Sequence, residues 1–209
     1  MLPSPESIGL VQVSLVLLLG AMSPGPSLAV VIRRTLGDGR AAGIACSIGH
    51  GIGVGLLALL AISSIGIALI AMPTAIEIIR IIGSFFLIFL GMISLQAKQD
   101  IEHTFPHEGI IDRGPFLEGM AVAWTNPKII VFFTALFAPL IGADTTWNNR
   151  ILFSTVACFI DAGWYVIVAS ILTGTTAFEL LKRHEKTLSR MLGVVLITFG
   201  IWISITTIF

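Results

Sequence analysis

The sequence predicts an all-α integral membrane protein with six transmembrane helices, built as two inverted three-helix repeats whose helices 1 and 4 are broken at proline motifs. The first observation is composition: 56% of the 209 residues are hydrophobic and 11% are charged, whereas soluble domains carry roughly 25% charged residues. The second is a set of six apolar runs, each able to supply the about 20 helical residues that cross a ~30 Å hydrocarbon core. The third is that proline and glycine interrupt the first and fourth runs. The runs cover approximately residues 8–32, 41–71, 75–97, 115–141, 151–178 and 188–209.

The apolar runs leave no stretch of soluble-domain length, so we expect a single transmembrane domain over residues 1–209. Repeat one covers about residues 7–97, a polar cytoplasmic loop about 98–114, and repeat two about 115–209. The segment from Met1 to Glu6 contains no basic residue, so we expect a retained first span rather than a cleaved signal. A formal net charge of zero gives no reason to expect nucleic acid as a partner. The expected surroundings are the lipid bilayer.

Lysine and arginine are distributed unevenly between the connections, and this distribution predicts the orientation. Nine basic residues follow the first, third and fifth runs, against two on the opposite side. We therefore expect both termini to be extracytoplasmic and the three basic connections to face the cytoplasm. The nine are Arg33, Arg34, Arg40, Lys98, Arg113, Lys182, Arg183, Lys186 and Arg190, and the two are Arg80 and Arg150.

The stretch Ser23-Pro24-Gly25-Pro26 interrupts the first apolar run. Proline lacks an N–H and its ring clashes with the carbonyl four residues earlier, so a regular α-helix cannot continue through it. The carbonyls of Gly20 and Met22 should lose their helical hydrogen bonds, and an unsatisfied backbone group costs several kcal/mol in hydrocarbon. The break is therefore predicted to be buried in protein or to line a cavity. A simple proline kink is the plainer alternative.

The fourth run repeats this pattern at Asn126-Pro127-Lys128. Asparagine is a favoured N-cap and proline a favoured first helical residue, so a helix is predicted to begin anew there. Lys128 adds a charge at a depth where insertion costs roughly 2.5–3.5 kcal/mol, and a packing residue does not need that charge. The two new helices should direct free N–H groups, at Ser27 to Ala29 and at Lys128 to Ile130, toward a common centre.

Each half also carries one polar residue deep in its second apolar run. His50 lies in a glycine-rich segment, where Gly51 and Gly55 form a small-xxx-small pair that permits close helix packing. Asp161 lies about ten residues into the fifth run, at a depth where an ionisable residue is a functional hypothesis. The alternatives are an ordinary hydrogen-bonded interior histidine and a structural ion pair between Asp161 and Lys128.

Together these residues predict a binding site for a zwitterion. The helix N-termini and Lys128 would hold a carboxylate, and the freed carbonyls of Gly20, Met22 and Ala123 would join Asp161 in holding an ammonium group. A basic substrate side chain would need a second buried acid, for which only Glu118 is a candidate, so a neutral substrate is favoured. The predicted substrate-binding residues are Ser23, Pro24, Gly25, Pro26, Asn126, Pro127, Lys128 and Asp161.

At these positions the chain resembles the LysE/RhtB family of amino-acid exporters over essentially its whole length. The resemblance implies a multi-pass exporter of a small-molecule amino acid in the bacterial inner membrane, driven by proton exchange and without a cofactor. Threonine and homoserine are examples of the expected neutral substrates, and Asp161 and His50 are the expected proton-coupling residues. Assembly into a homo-oligomer is left open. The matching elements are Ser23-Pro24-Gly25-Pro26, Gly39-Arg40-Ala41-Ala42-Gly43 with Gly49-His50-Gly51 beyond it, Asn126-Pro127-Lys128 followed by Phe132-Phe133 and Pro139, and Asp161 before Trp164-Tyr165.

Two other functions stay open from the sequence. A divalent-cation exporter of a related six-span plan would take its ligands from Asp161, His50, Cys46 and Cys158, but Lys128 would repel a cation. A membrane thiol–disulfide conduit would use Cys46 and Cys158, which lack a Cys-x-x-Cys spacing and are equally explained as small buried hydrophobic residues. We expect no resident metal, and no nucleophile motif suggests an enzyme.

Overall fold

The fold is that of a computed structural model, which describes residues 5–23, 25–71, 73–96, 114–137, 145–171 and 175–208. All regular secondary structure within these ranges is helical, as the sequence predicts. Pro24 and residues 98–113 of the predicted cytoplasmic loop lie outside the described residues. The helices are α1 (Pro5–Met22), α2 (Pro26–Gly37), α3 (Arg40–Ala71), α4 (Pro73–Gln96), α5 (Pro115–Thr125), α6 (Pro127–Phe137), α7 (Trp147–Ile171) and α8 (Thr175–Ile208).

Proline marks the beginning of many of these helices. Pro26 begins α2, Pro73 begins α4, Pro115 begins α5 and Pro127 begins α6. The first helical position suits proline because the N–H that proline lacks has no partner inside the helix there. The sequence thus ends one helix and begins the next within a few residues.

Two helices are long and apolar enough to cross a membrane, α3 over Arg40–Ile65 and α7 over Trp147–Ile171. Two pairs of shorter helices become long enough if each pair counts as one bent span. The bend between α1 and α2 is 57°, and the bend between α5 and α6 is 62°. The described residues therefore hold two to four candidate spans by length and composition. The arrangement of six spans in two inverted repeats stays a prediction.

The predicted connection between the fifth and sixth runs, at about residues 179–187, is wrong. α7 ends earlier, at Ile171, and α8 begins at Thr175, so the basic residues assigned to this connection lie on the first turns of α8. Leucine, glutamate, lysine and arginine dominate this segment and are strong helix formers. The loss of apolar character at the end of a span therefore does not end the helix. Arg183, Lys186 and Arg190 are exposed on it.

α3 lies between α5 and α7 and packs against both. Its alternating glycines face these two neighbours in turn. Gly49 and Gly53 face α5, where a Cβ atom at Gly49 would collide with the carbonyl oxygen of Phe116. Gly51 and Gly55 face α7 with equally little space. The small-xxx-small pair predicted from the sequence therefore brings α3 and α7 together, and a second pair does the same for α3 and α5.

The outer surface of the helices is apolar. Val11 on α1, Ile67 on α3 and Phe159 on α7 are 68%, 66% and 72% exposed. Soluble monomers rarely carry continuous apolar patches of large size, whereas hydrocarbon is a suitable surrounding for such a surface. The buried polar residues of the cavity described below, such as His50 and Asp161, lie on the inside instead, between the helices.

Candidate functional site

A cavity of about 70 Å³ lies where the two helix breaks meet α3 and α7. This volume is about half that of an engineered cavity of ~150 Å³ that holds one benzene molecule, so the walls have to separate before an organic zwitterion can enter. The cavity has an apolar side, which includes Leu17, Phe132 and Leu196. Its polar side is formed by Ser23, Ser27, His50, Asn126, Lys128, Asp161 and Tyr165.

The polar side is centred on a pair formed by His50 of α3 and Asp161 of α7. Nδ1 of His50 lies 2.6 Å from Oδ2 of Asp161, and both residues are buried. They meet because Gly51, next to His50, packs directly against Ala162, next to Asp161. The ring of Tyr165 stands edge-on to the imidazole, with 5.1 Å between ring centroids. Nε2 of His50 has no hydrogen-bond partner among the described residues, so this nitrogen remains available to a ligand or a proton.

Lys128, the charge predicted within the fourth run, reaches across to the other helix break. Its Nζ donates a hydrogen bond to Oγ of Ser23 at 2.8 Å. Asp161 pairs with His50 instead of with this lysine. The alternative of a structural ion pair between Asp161 and Lys128 is therefore wrong for the described conformation. The reason is geometric, since α3 lies closer to α7 than α6 does.

The two helix beginnings at the cavity differ, which corrects the prediction of two rows of free N–H groups. α6 is capped by its own chain: Oδ1 of Asn126 accepts the N–H of Lys128 at 3.0 Å, and the Asn126 carbonyl accepts that of Ile129 at 3.1 Å. α2 follows Gly25, which has no side chain to form a cap, and the N–H of Ala29 bonds to the Gly25 carbonyl at 3.0 Å. Of the two positive helix ends, the one at α2 is left without a side-chain cap.

The carbonyl of Gly20, predicted to be free, is also satisfied. It accepts the N–H of Ser23 at 3.2 Å, which is the tightened bonding that often closes a helix end. At the opposite break, Nδ2 of Asn126 donates to Oγ of Ser27 at 3.3 Å. Side chains and local turns therefore satisfy much of the polarity that the proline breaks create.

Most of the predicted site residues meet at this cavity. Pro127 lies beside it as the first residue of α6, and Pro24 lies outside the described residues. The sequence reasoning missed the side chains of Ser27 and Tyr165, although a signal for Tyr165 existed: it follows Asp161 by four residues and so shares its helical face. The predicted residues that line the cavity are Ser23, Gly25, Pro26, His50, Asn126, Lys128 and Asp161.

A second polar cluster, also missed, joins α2 to α5. The carboxylate of Glu118 is buried and accepts hydrogen bonds from Arg33 and from Arg34. Nη1 of Arg34 also donates to Oδ2 of Asp38 at 2.6 Å, one helical turn away. Glu118 is thus fully engaged by arginines of this chain. The signal in the sequence was the pair of adjacent arginines at the end of the first apolar run, read only as an orientation marker.

The two cysteines lie apart and are free thiols. The backbone of Cys46 packs against Gly119, while Cys158 packs against Gly55 of the same α3 helix. Nine helical residues, or roughly 13 Å at the α-helical rise, separate these two positions along α3. Within the described ranges no group of three or more His, Cys, Asp or Glu side chains comes together as metal ligands would.

Comparison with known proteins places the chain in a family. The model of the family described as LysE type translocator matches residues 18–206, which is most of the chain. The chain belongs to the LysE type translocator family. The resemblance drawn from the proline motifs, Asn126-Pro127-Lys128 and Asp161 is therefore confirmed, and the chain is a member of a membrane protein family.

Among the similar proteins is an uncharacterized membrane protein of Haemophilus influenzae, 22% identical over 88% of this chain and 90% of its own length. A threonine efflux protein of Salmonella typhimurium is 25% identical over 93% of this chain and 96% of its own. A leucine efflux protein of the same organism is 29% identical over 56% of each chain. No solved structure matches this LysE type translocator significantly.

Proposed function

We propose that this LysE type translocator exports a neutral amino acid across the bacterial inner membrane by proton antiport. The observation that carries the proposal is the buried His50–Asp161 pair, which lines the same cavity as Lys128 between two helix breaks. One acid, one base and one proton-accepting ring at a single cavity suit a zwitterion whose binding is linked to protonation. Relatives named as threonine and leucine efflux proteins support the same reading.

The charges of the cavity match the two charges that every neutral amino acid carries. The substrate carboxylate binds Lys128 and the N-terminal end of α2, which has no side-chain cap. The substrate ammonium binds the Asp161 carboxylate. When Nδ1 of His50 donates to Asp161, Nε2 is an acceptor, so it can take a second N–H of the ammonium group.

Two observations support a neutral rather than a basic substrate. Asp161 is the acidic side chain that lines the cavity in the described part of the chain. Its charge is matched by the substrate ammonium, so a basic side chain would need another acid. Glu118, the one further buried candidate from the sequence, is already bonded to Arg33 and Arg34.

Proton coupling follows from competition at the His50–Asp161 pair. A protonated pair carries the positive charge that the substrate ammonium would otherwise supply, so proton and substrate exclude each other there. A carrier of this kind releases its amino acid outside, takes up a proton and returns protonated. Alternating access to the cavity then converts inward proton movement into outward amino-acid movement.

The six-span, inverted-repeat plan belongs to this proposal. Span one is α1 with α2, span four is α5 with α6, and the remaining spans are formed by α3, α4, α7 and α8. The corresponding second spans, α3 and α7, pack against each other, and so do the corresponding third spans, α4 and α8. Such pairing agrees with a two-fold axis in the membrane plane that runs between the paired spans. Both termini lie outside the cytoplasm in this plan, by the distribution of basic residues.

The test is uptake into inside-out vesicles, or efflux from preloaded cells, under an imposed pH gradient, with radiolabelled neutral amino acids. Asp161→Asn keeps the shape of the side chain and removes its charge, so it should abolish gradient-driven export while the protein remains in the membrane. Glu77→Gln is the matched control, because Glu77 is an exposed acid on α4, and it should export normally. An Asp161→Asn variant that still concentrates substrate in response to the gradient would exclude Asp161 from coupling.

A further inference from the structure

The apolar side of the cavity has no part in holding the charged groups of a zwitterion. We propose that it is a side-chain subsite for aliphatic amino acids of the valine and leucine type, in preference to hydroxyl-bearing ones such as threonine and homoserine. The inference rests on the proposed function, because it concerns the side chain of the same substrate.

The walls of this subsite come from four helices. Leu17 of α1, Val54 of α3, Phe132 of α6 and Leu196 of α8 all line the cavity and are buried. A side chain directed toward them meets hydrocarbon on every one of these faces. Burial of aliphatic groups against such walls is favourable in proportion to the apolar area removed from water.

A substrate hydroxyl would find no suitable partner on this side. The two serine hydroxyls of the cavity lie at the helix breaks, where they accept hydrogen bonds from Lys128 and Asn126, and they do not belong to the wall of aliphatic and aromatic side chains. Of the other polar lining residues, Lys128, Asp161 and His50 are assigned to the charged groups of the substrate, and the ring of Tyr165 packs edge-on against His50. A buried hydroxyl without a hydrogen bond is unfavourable, so the walls discriminate against threonine and homoserine.

Phe132 determines how long a side chain the subsite accepts. Its ring rests on Gly20 of α1, where an added Cβ atom would lie 3.1 Å from Cζ of the ring. Gly20→Ala should therefore push the ring into the cavity and favour short side chains. Phe132→Ala should remove the end wall and favour long ones.

The decisive comparison uses pairs of amino acids that share a shape and differ by one hydroxyl. Valine and threonine form one pair, and norvaline and homoserine form the other. Efflux rates from vesicles that contain the wild-type protein should give a kcat/KM ratio of about 10-fold to 100-fold in favour of the apolar member, the range that an apolar pocket achieves against an added hydroxyl.

Two neighbouring positions on α1 provide matched variants. Leu17→Thr introduces a hydroxyl into the wall and should lower the valine-to-threonine ratio several-fold. Leu18→Thr introduces the same group at a 38% exposed position that does not line the cavity, and it should leave the ratio unchanged. An unchanged ratio in a membrane-inserted, exporting Leu17→Thr protein would show that this wall does not contact the side chain.

The outcomes separate the two proposals. Threonine exported as fast as valine by the wild-type protein would overturn the apolar subsite and leave amino-acid export standing. Absence of export for every amino acid, from vesicles that contain the folded protein, would overturn the proposed function and this inference together. A valine preference that falls in Leu17→Thr and persists in Leu18→Thr would support both.

Discussion

Glu118→Gln tests whether the cluster on α2 and α5 keeps these helices together. The substitution keeps the size of the side chain and one of its two accepting oxygens, but it removes the charge and replaces the other oxygen with an NH2 group, which cannot accept a bond from an arginine. A hydrogen bond to a charged group contributes about 1.5–3 kcal/mol and a neutral one about 0.5–1.5 kcal/mol, so the arginine that faces the remaining oxygen loses about 1 kcal/mol and the other arginine loses its bond. Neither arginine is stranded, because Arg34 retains Asp38 and the Arg33 side chain is 42% exposed. The exposure of Arg33 reduces its share, which leaves a cost of about 1–2 kcal/mol, below the ~3–5 kcal/mol of a stranded buried charge.

The native Cys46 reports on this change. It is fully buried, and its backbone packs against Gly119, the residue after Glu118. A cost of about 1–2 kcal/mol raises the population of the separated state by a factor of about 5–30. In a Cys158→Ala background, a membrane-impermeant maleimide applied to inside-out vesicles should therefore label Cys46 about 5-fold to 30-fold faster in Glu118→Gln than in the parent.

Asp38→Asn is the control for this experiment. The Asp38 side chain is 49% exposed and pairs with Arg34 within one helical turn, and exposed pairs of this kind contribute at most about 0.5 kcal/mol. Labelling in Asp38→Asn should stay within about two-fold of the parent, consistent with that small energy. A folded Glu118→Gln protein labelled at the parental rate would refute the reasoning, because the buried carboxylate would then not hold α2 against α5.

Two further predictions concern packing and the helix breaks. Gly119→Ala should lower the thermal unfolding midpoint in detergent, because the added methyl group would collide with the carbonyl of Cys46 at a cost of about 1–3 kcal/mol. Gly163→Ala should raise the midpoint, because a Cβ atom there meets nothing within 4 Å and alanine is up to about 1 kcal/mol more favourable than glycine in a helix. Equal midpoints in the two variants would contradict the close α3–α5 contact. Pro127→Ala should insert into the membrane normally, because the substitution restores a helical hydrogen bond. The variant should nevertheless lose gradient-driven efflux, because the helix break at the cavity is removed. Unchanged efflux would show that the break is a simple kink.

The sequence predicted where helices begin and where they pack closely better than it predicted the hydrogen bonds between polar side chains. Proline is read directly, because it cannot occupy a helix interior, and both interruptions fall where the structure starts a new helix, at Pro26 and Pro127. Glycine spacing likewise predicted a close helix approach at Gly51 and Gly55, although not that α7 is the partner; such an approach depends only on the absence of a side chain. The proline breaks and the glycine spacing can be predicted because each depends on the residues of a single segment.

The partners of the polar residues could not be predicted in the same way. Asp161 bonds to His50, 111 residues away, and this choice over Lys128 depends on which helices touch. The sequence contains the three residues but not the packing that selects between them. The contacts of Glu118 with Arg33 and Arg34 could not be predicted for the same reason. The early start of α8 was missed because an apolar run indicates only the part of a helix that lies in hydrocarbon, and a helix can extend beyond that part.

Hydrogen bonds between the two helix breaks link substrate binding to movement of the helices. Lys128 on α6 bonds to Ser23 beside α1, and Asn126 bonds to Ser27 on α2, so side chains join the breaks across the cavity. A substrate carboxylate would offer Lys128 an acceptor of opposite charge in place of a neutral hydroxyl, and the attraction between two opposite unit charges adds to the hydrogen bond. Binding would therefore take Lys128 from the bond that holds the breaks together. A ligand that favours the separated breaks over the joined ones has the differential affinity that a ligand-driven conformational change requires.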